Sequence, residues 1–328
     1  MSPKATSALK CQSQAEMKIL VAIAHYFDAK GDGKYMSTSP NALPRLEACR
    51  SSITALHRLF GRQQYQLDIA RWCAVPVNSG ACHELDIRLC TSRKRHLVAQ
   101  LALPATSYRH VSFDVESMML EFKCQSELRN ALGSYDYYCF MEDDLIIHDP
   151  HFFQKLVWFN QTFTDECLLQ PNRFEIGTLD FKVPKLYIDG NLPPASTAPF
   201  QDISVLPELR APYLGAEVHF VRPLNPHSGC YFLTESQMAC FASQTHFLNR
   251  DTSWCGPLES AATLGIMRTF RIYKPGPQSM GFLEMEHKSN YNILKIGKEI
   301  PIKSDKKGIL KSLLCGLKTN NPQRQRSS

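Results

Sequence analysis

Three consecutive carboxylates follow an apolar and aromatic run in the segment YYCFMEDDLIIHDP at residues 137–150. They are Glu142, Asp143 and Asp144. Because charged side chains are rarely buried without a partner, the triplet is either a solvated turn or a group that holds something positive. Carboxylate oxygens suit a hard divalent cation, and such a cation can bridge phosphate oxygens and neutralise a departing nucleotide. The segment therefore predicts a metal site, with a solvated turn as the alternative.

The segment LNPHSGCYFL places His227, Ser228 and Gly229 just before an apolar run. A glycine at this point allows the backbone to come close to a ligand, and His227 could then contact a substrate. The alternative is an ordinary loop histidine. The three residues are therefore candidates for binding an acceptor or a phosphate group.

Three single residues are further candidates, each with a structural alternative. Glu259 opens a helix of small residues, where it could act as a general base or simply favour the helix dipole. His287 ends the segment FLEMEH, and a neutral imidazole is a common metal ligand. Arg173, in LLQPNRFE, could bind a phosphate or a carboxylate with two hydrogen bonds, or it could pair with Glu175 or with a carboxylate in a loop.

The segments around these residues alternate between strands and helices. The continuous apolar run KILVAIA at 18–24 is typical of a strand buried on both faces of a parallel sheet. A loop, a helix over 40–62, a strand over 85–92 and a helix over 116–136 follow, and the strand YDYYCFM leads into the carboxylates. This order predicts an α/β fold. Ligands of open α/β sheets bind beyond the C-terminal ends of the strands, where the triplet lies.

The second half of the chain has a different sequence pattern. Residues from about 170 to 235 are rich in proline and contain short runs, such as AEVHFVR and CYFLT, that are typical of antiparallel strands. A loop, a helix and a strand over 254–275 and a last strand over 282–287 complete the pattern. We therefore expect a disordered segment over 1–16, a single domain over 17–290 and a basic tail over 291–328.

Composition and charge exclude several classes of protein. The chain has 328 residues, of which 44% are hydrophobic, enough for a large core. Most of its net charge of +6 comes after Pro301, where seven basic residues face one acidic residue. A nucleic-acid-binding surface needs basic residues clustered on the fold itself, so we expect no nucleic-acid partner. No signal peptide and no membrane span are recognisable, so we expect a cytoplasmic protein.

Cysteines and the tail give two further expectations. The twelve cysteines form no C-x-x-C pair and several lie in apolar runs, so we expect free thiols in a reducing compartment.

In the tail, GILKSLLCGLK at 308–318 places apolar residues on one helix face with lysines around it. Such a helix can lie on an anionic membrane, which predicts weak peripheral contact. The alternative is a solvated or self-docked terminal helix.

The order of these motifs resembles that of the GT-A glycosyltransferases. The matching features are a nucleotide-binding α/β half, an Asp-x-Asp-type motif at a strand end (EDD), a glycine-containing loop (HSG), an acidic residue opening a helix (PLES) and a C-terminal histidine (EMEH). The similarity spans residues from about 17 to 290, and the ordered set is more specific than any single motif. The resemblance implies a Rossmann-type half with a mixed central sheet. It also implies that the proline-rich, partly antiparallel stretch over 176–222 faces an acceptor.

Carried over to this chain, the resemblance implies a hexosyltransferase-type enzyme. It would move a sugar from a UDP- or GDP-linked donor to the hydroxyl of an unidentified acceptor. Asp144, with Glu142 or Asp143, and His287 would ligate Mn²⁺ or Mg²⁺ on the donor diphosphate. The nucleoside would lie against two loops that follow the first two strands, formed by His25, Tyr26 and Phe27 and by Thr91 and Arg93.

The same resemblance implies that Glu259 is the catalytic base that deprotonates the acceptor. The family often has Glu-Asp at this place, whereas this chain has Glu259-Ser260. The identity of the base and the stereochemical outcome therefore stay open.

Two other classes of protein share parts of this pattern. A nucleotidyltransferase would carry a glycine-rich, basic loop after the first strand, and HYFDAKGDGK offers only Gly31, Gly33 and Lys34. A non-catalytic nucleotide- or carbohydrate-binding protein of the same fold would bind its ligand without turnover.

Overall fold

The computed structural model describes residues 16–33, 36–177 and 183–303. Most of the predicted N-terminal segment and the tail helix over 308–318 lie outside the described residues. In chain order the strands are β1 (Lys18–His25), β2 (Gln64–Asp68), β3 (Cys73–Val77), β4 (Glu84–Ser92), β5 (Arg109–Phe113), β6 (Tyr137–Glu142), β7 (Leu145–Ile146), β8 (Cys167–Leu169), β9 (Asn172–Ile176), β10 (Lys185–Tyr187), β11 (Glu208–Tyr213), β12 (Ala216–Val221), β13 (Cys230–Thr234), β14 (Arg271–Pro275) and β15 (Glu284–His287). The helices are α1 (Leu43–Leu56), α2 (Leu120–Asn130), α3 (Phe152–Thr162), α4 (Glu235–Ala242), α5 (Pro257–Glu259) and α6 (Gly265–Thr269).

The central sheet has five strands in the order β13-β6-β1-β4-β5. The strands β6, β1, β4 and β5 run parallel, and β13 is antiparallel to β6. Strand β1 lies in the middle of this sheet, which explains its continuous apolar sequence, since both of its faces are covered. The predicted α/β class with a mixed central sheet is therefore confirmed.

Two layers of apolar side chains cover the two faces of this sheet. On one face, Ile19, Val21 and Ile23 of β1 pack in a cluster with residues of α1 and α3. On the other face, Leu20 and Ala22 pack in a second cluster with residues of α2 and α4. The alternation follows from the two-residue period of a strand, which directs neighbouring side chains to opposite faces.

Two further sheets of four strands lie in the C-terminal half. Their strand orders are β10-β9-β15-β7 and β11-β12-β14-β8. Strand β10 pairs antiparallel with β9, and β11 pairs antiparallel with β12. Both pairs agree with the antiparallel strands predicted for this part of the chain. Between β12 and β14, the helices α5 and α6 are joined by a π-helical turn over Ser260–Leu264.

The domain continues past the predicted boundary at residue 290. Ile293 is buried, with 1% of its surface exposed. The backbone amides of Asn292 and Ile293 donate to the buried carboxylate of Glu175, at 2.9 and 2.7 Å. Asn292 and Ile293, just past the predicted boundary, are therefore anchored on β9.

Membrane-spanning helices and cysteines were also considered in the sequence. In this part of the chain, no helix is both long and apolar enough to cross a membrane. The ten described cysteines are free thiols, as expected from the sequence.

Candidate functional site

The carboxylate triplet lies where the parallel strands of the central sheet end. The register places Glu142 of β6 beside Ala24 of β1, and His25 beside Thr91 of β4. The ends of β6, β1 and β4 therefore meet at one edge, which is the position of ligand sites in open α/β sheets.

Asp143 is fully buried and held from two sides. His25 Nδ1 donates to Asp143 Oδ2, and Arg45 Nη2 forms an ion pair with Asp143 Oδ1. The backbone amide of Leu97 donates to His25 Nε2 at 3.0 Å, so this nitrogen carries a lone pair and the ring proton is on Nδ1. Both oxygens of Asp143 and both ring nitrogens of His25 are thus used within the protein. If His25 or Asp143 contacts a ligand, as predicted, one of these hydrogen bonds or the ion pair with Arg45 must break.

Cys49 completes a buried group with this pair. Ligand atoms of His25, Cys49 and Asp143 lie within 4.8 Å of one another, a spacing that could hold a metal ion. However, burial and the nearby charge of Asp143 raise the pKa of Cys49 well above its ordinary value, which disfavours the thiolate that metals bind. The ring proton of His25 is directed at Asp143. We therefore interpret His25 and Cys49 as residues that surround Asp143 and hold the triplet in position.

Asp144 presents an unused oxygen to the site. Its Oδ2 accepts a hydrogen bond from Arg45 Nη1 at 2.9 Å, whereas its buried Oδ1 has no hydrogen-bond partner among the described residues. Burial alone would raise the pKa of Asp144, but the positive charges of His287 and Arg45 outweigh it and lower the pKa. Asp144 is therefore a carboxylate at neutral pH with one free acceptor.

His287 faces Asp144 from β15. Its Nε2 lies 3.8 Å from Asp144 Oδ2, and its Nδ1 lies 3.4 Å from Glu175 Oε1 and 2.9 Å from Ser289 Oγ. Burial lowers the pKa of His287, but Asp144 and Glu175 outweigh that effect and raise it. A carboxylate behind one ring nitrogen and an open position at the other is the arrangement of many metal-binding histidines.

Glu142, the first residue of the triplet, lies on the other side of the site. Its Oε2 is 3.6 Å from Arg173 Nη1, and its Oε1 is 4.0 Å from His227 Nε2. Burial raises the pKa of Glu142 to about 7, against the opposing effect of Arg173. Glu142 therefore changes its charge near neutral pH, unlike Asp144.

A buried network of charges holds Arg173 beside Glu142. Arg173 Nη2 lies 2.9 Å from Asp189 Oδ1, and Lys274 Nζ lies 2.8 Å from Asp189 Oδ2. Burial would raise the pKa of Asp189, but the two cations outweigh it and lower the pKa. Of the two predicted alternatives, Arg173 therefore pairs with a loop carboxylate, Asp189, and not with Glu175, which accepts from the segment after β15.

The predicted glycine loop lies against Glu142. The amide of Glu142 donates to the carbonyl of Gly229 at 2.9 Å, and Gly229 has a φ of +61°. A Cβ at this position would lie 2.7 Å from Glu142 Cδ, so the close approach requires glycine. His227 Nδ1 lies 2.9 Å from Thr263 Oγ1, and burial lowers its pKa well below the ordinary value. The buried Ser228 hydroxyl donates to Pro171 O at 2.9 Å, which is a structural contact.

Glu259 lies at the end of the short helix α5 and is half-buried. A second acidic residue nearby, Glu121 on α2, is 4% exposed, and its Oε2 has no hydrogen-bond partner among the described residues. Burial raises the pKa of Glu121 well above its ordinary value, and the charges of Glu142 and Glu259 add to this. Glu121 therefore lies close enough to both Glu259, the predicted base, and Glu142 of the triplet for their charges to raise its pKa.

The other predicted donor-binding residues lie at the same sheet edge with protein partners of their own. Thr91 Oγ1 lies 2.8 Å from His110 Nε2, and Phe27 is buried. Arg95 donates to the hydroxyl of Tyr26 at 3.1 Å. Arg93 pairs with Asp114 at 2.6 Å and lines a groove of about 300 Å³ beside the start of α2.

Five residues of this site were not predicted, namely Arg45, Glu121, Glu175, Asp189 and Lys274. A usable signal existed for Lys274, since a lysine inside the apolar strand RIYKP needs a buried partner. Asp189 likewise lies two residues after the end of the strand KLY. Arg45 lies on α1 and Glu121 on α2, and nothing in the sequence of either helix indicates a role in the site.

Comparisons with known proteins were made on sequence and on structure. No protein-family model matches the chain, and no curated protein matches its sequence. Among solved structures, the chain is similar to S. aureus TarS with a TM-score of 0.41 and 9% identity, covering 85% of this chain and 38% of that chain. It is also similar to S. aureus TarS 1-349, with a TM-score of 0.39, 10% identity and coverages of 85% and 64%.

A third similar structure is the apo form of mouse xyloside xylosyltransferase 1, with a TM-score of 0.36 and 12% identity. The match covers 77% of this chain and 81% of that chain. The chain spans much less than two thirds of the TarS chain.

Proposed function

We propose that the chain is a metal-dependent glycosyltransferase of the GT-A type, which uses a nucleotide-sugar donor. The observation that carries this proposal is the arrangement of Asp144 and His287 at the C-terminal edge of a parallel sheet. Asp144 has a free, buried Oδ1, and His287 turns Nε2 toward Asp144 while Glu175 lies behind Nδ1.

The donor set fits a divalent cation. A carboxylate oxygen without a hydrogen-bond partner is costly to bury, and an ion would satisfy it. Asp144 and His287 would hold Mn²⁺ or Mg²⁺, with Glu142 as a third candidate ligand. Asp143 is instead held by His25 and Arg45. When bound, the ion would neutralise charge on the donor diphosphate.

Residues of the chain itself would supply the remaining functions. Arg45 and Arg173 bring two guanidinium groups to the carboxylates, where they add positive potential for a diphosphate. Glu259 is proposed as the base that removes the proton of the acceptor hydroxyl, as the resemblance implies. Gly229 keeps the backbone close to Glu142.

The finer assignments are proposals of the same kind. We propose a hexosyltransferase-type reaction with a UDP- or GDP-linked donor and an acceptor hydroxyl bound on the proline-rich side. The free thiols favour action in a reducing compartment such as the cytoplasm.

Calorimetry with UDP and GDP, with and without Mn²⁺, tests the proposal. We expect one nucleotide to bind in a metal-dependent manner to the wild type. Asp144→Asn should abolish this dependence, because the amide cannot replace the carboxylate toward the ion. Glu217→Gln is the control, since Glu217 is an exposed acidic residue of β12 that pairs with Arg210.

The same preparations separate the alternatives. Release of UDP or GDP from a nucleotide sugar, in the presence of candidate acceptors, would support glycosyl transfer. Release of pyrophosphate from a nucleoside triphosphate would instead indicate a nucleotidyltransferase. Tight binding of a nucleotide sugar without any turnover would indicate a non-catalytic binding protein, and no nucleotide binding under any metal condition would overturn the proposal.

A further inference from the structure

The hairpin formed by β2 and β3 exposes an apolar face. The two strands pair with each other and form a sheet separate from the three larger ones. Their register places Tyr65 opposite Pro76 and Leu67 opposite Ala74. Because side chains two residues apart share a face, these four side chains lie on the same face of the hairpin. All four are exposed, Tyr65 by 60% and Leu67 by 55%.

The turn of the hairpin extends the apolar surface. Ile69 is 75% exposed and Trp72 is 77% exposed. Trp72 adopts a φ of +52°, a conformation that is uncommon for residues other than glycine. The amide of Arg71 donates to Asp68 Oδ1 at 3.0 Å, which orders the turn. A large aromatic side chain is thus held out in solvent by a defined turn.

The base of the hairpin is also fixed. Gln63 Nε2 donates to Val77 O at 2.6 Å, and Asn78 Nδ2 donates to Gln64 Oε1 at 2.8 Å. A two-stranded hairpin is only marginally stable in water by itself, and a contiguous exposed apolar surface marks an interaction site. The hairpin is therefore preformed for an occupant that covers its apolar face.

The charges around the hairpin indicate the kind of occupant. Residues 58–82 contain three arginines, Arg58, Arg62 and Arg71, and a single acidic residue, Asp68. All three arginines are exposed. Tyrosine and tryptophan combine an apolar body with a polar tip and are favoured where a membrane meets water. A surface that combines them with aliphatic and cationic side chains complements an anionic lipid headgroup region over an apolar interior.

We propose that the β2–β3 hairpin is a membrane-docking element that inserts Ile69 and Trp72 into the interface of an anionic bilayer. The arginines contact the lipid headgroups, and the apolar face of the hairpin is covered by the acyl boundary. This proposal does not depend on the proposed reaction. It is also separate from the predicted contact through the tail at 308–318, which lies outside the described residues.

Flotation of the full chain with lipid vesicles tests the proposal. The probes are vesicles of phosphatidylcholine alone and of phosphatidylcholine mixed with phosphatidylserine. We expect binding to the anionic vesicles, reduced by about tenfold or more in the double variant Ile69→Ser/Trp72→Ser, because each side chain loses its apolar burial. The matched control is Val205→Ser/Leu214→Ser, which removes two apolar side chains that are 47% and 90% exposed elsewhere.

Tryptophan fluorescence reports on the hairpin directly. Of the three tryptophans, Trp72 is exposed, Trp158 is partly buried and Trp254 is buried. We expect a blue shift with anionic vesicles and quenching by brominated lipids, both lost in Trp72→Ser.

Three results would overturn the proposal. The first is no binding to either kind of vesicle. The second is binding that the double variant retains and that leaves Trp72 unquenched, which would assign the contact to another segment such as the tail. The third is concentration-dependent dimerisation that the double variant loses, in the absence of vesicle binding, which would make the occupant a second copy of the chain.

Discussion

His287 lies between two carboxylates, with Nε2 3.8 Å from Asp144 Oδ2 and Nδ1 3.4 Å from Glu175 Oε1. Glu175 is fully buried and also accepts from the amides of Asn292 and Ile293. It therefore fixes both the ring of His287 and the segment that follows it. Glu175 is a positioning residue in this arrangement, because it would act on a bound ion only through His287.

Substitution of Glu175 should weaken metal binding without removing a ligand. We expect Glu175→Gln to lower the affinity for Mn²⁺ by about 10- to 100-fold, as is typical when the carboxylate behind a metal-binding histidine is lost. Titration followed by electron paramagnetic resonance measures the affinity directly. Glu284→Gln is the control, since Glu284 lies on the same strand and pairs with Lys185 outside the site. Unchanged affinity in Glu175→Gln would argue against His287 as a ligand.

The raised pKa of Glu142 predicts a pH-dependent stability. In the unfolded chain a glutamate titrates near its ordinary value of about 4.3, whereas burial raises the pKa of Glu142 to about 7 in the fold. Between these values the folded state holds the proton and the unfolded state does not. The contribution of Glu142 to the free energy of unfolding is therefore largest below the lower value and is lost as the pH rises toward 7.

Urea unfolding of wild type and Glu142→Gln at pH 5 and pH 8, without metal, measures this effect. We expect the free energy of unfolding of the variant, taken relative to that of wild type, to be about 2–3 kcal/mol higher at pH 8 than at pH 5. One pKa unit corresponds to about 1.4 kcal/mol. Other titrating groups cancel in the difference between the two proteins. A difference that is independent of pH would contradict the assignment of the raised pKa to Glu142.

Gly229 is required by the close approach of its backbone to Glu142. An alanine here would have to tolerate a φ of +61° and a Cβ at 2.7 Å from Glu142 Cδ. We expect Gly229→Ala to lower the free energy of unfolding by about 1–3 kcal/mol and to weaken nucleotide binding, since it displaces Glu142. Gly190→Ala is the matched control, because a Cβ there meets no atom within 4 Å and its φ is not positive. Equal stability of the two variants would show that the site adapts to the side chain.

The framework of the fold was predictable because the chain buries its parallel strands on both faces. Apolar runs identified β1 and β6, an alternating pattern identified β4, and a strand end marked the triplet. The β2–β3 hairpin was not predicted, since its apolar residues face solvent and no burial pattern distinguishes them from a loop. The attachment of the segment after β15 to Glu175 was also not predicted, since Asn292 and Glu175 lie 117 residues apart in the chain.

The charges of the site were only partly predictable. The triplet, His287 and Gly229 were found from their positions next to strands. Their partners come from distant parts of the chain: Arg45 is 99 residues from Asp144, and Lys274 is 85 residues from Asp189. Such pairings depend on how helices and sheets pack, and residue types in the sequence do not reveal which cation will meet which carboxylate.

Arg45 should oppose the binding of a divalent cation at Asp144. It bonds Asp144 Oδ2 and pairs with Asp143, so its positive charge lies beside the Asp144 carboxylate that an ion would use. We expect Arg45→Gln to destabilise the metal-free protein by about 3 kcal/mol, because two buried carboxylates lose their partner.

The same substitution should raise the affinity for Mn²⁺ by about tenfold, since a nearby like charge is removed. Thermal unfolding with and without Mn²⁺ measures both effects, and the metal-induced rise in Tm should be larger in Arg45→Gln than in wild type. Arg50→Gln is the control, because Arg50 lies on the same helix and donates to Leu101 O, away from the carboxylates. Loss of metal binding in Arg45→Gln would reverse the argument, since Arg45 would then be needed to orient Asp144 toward the ion.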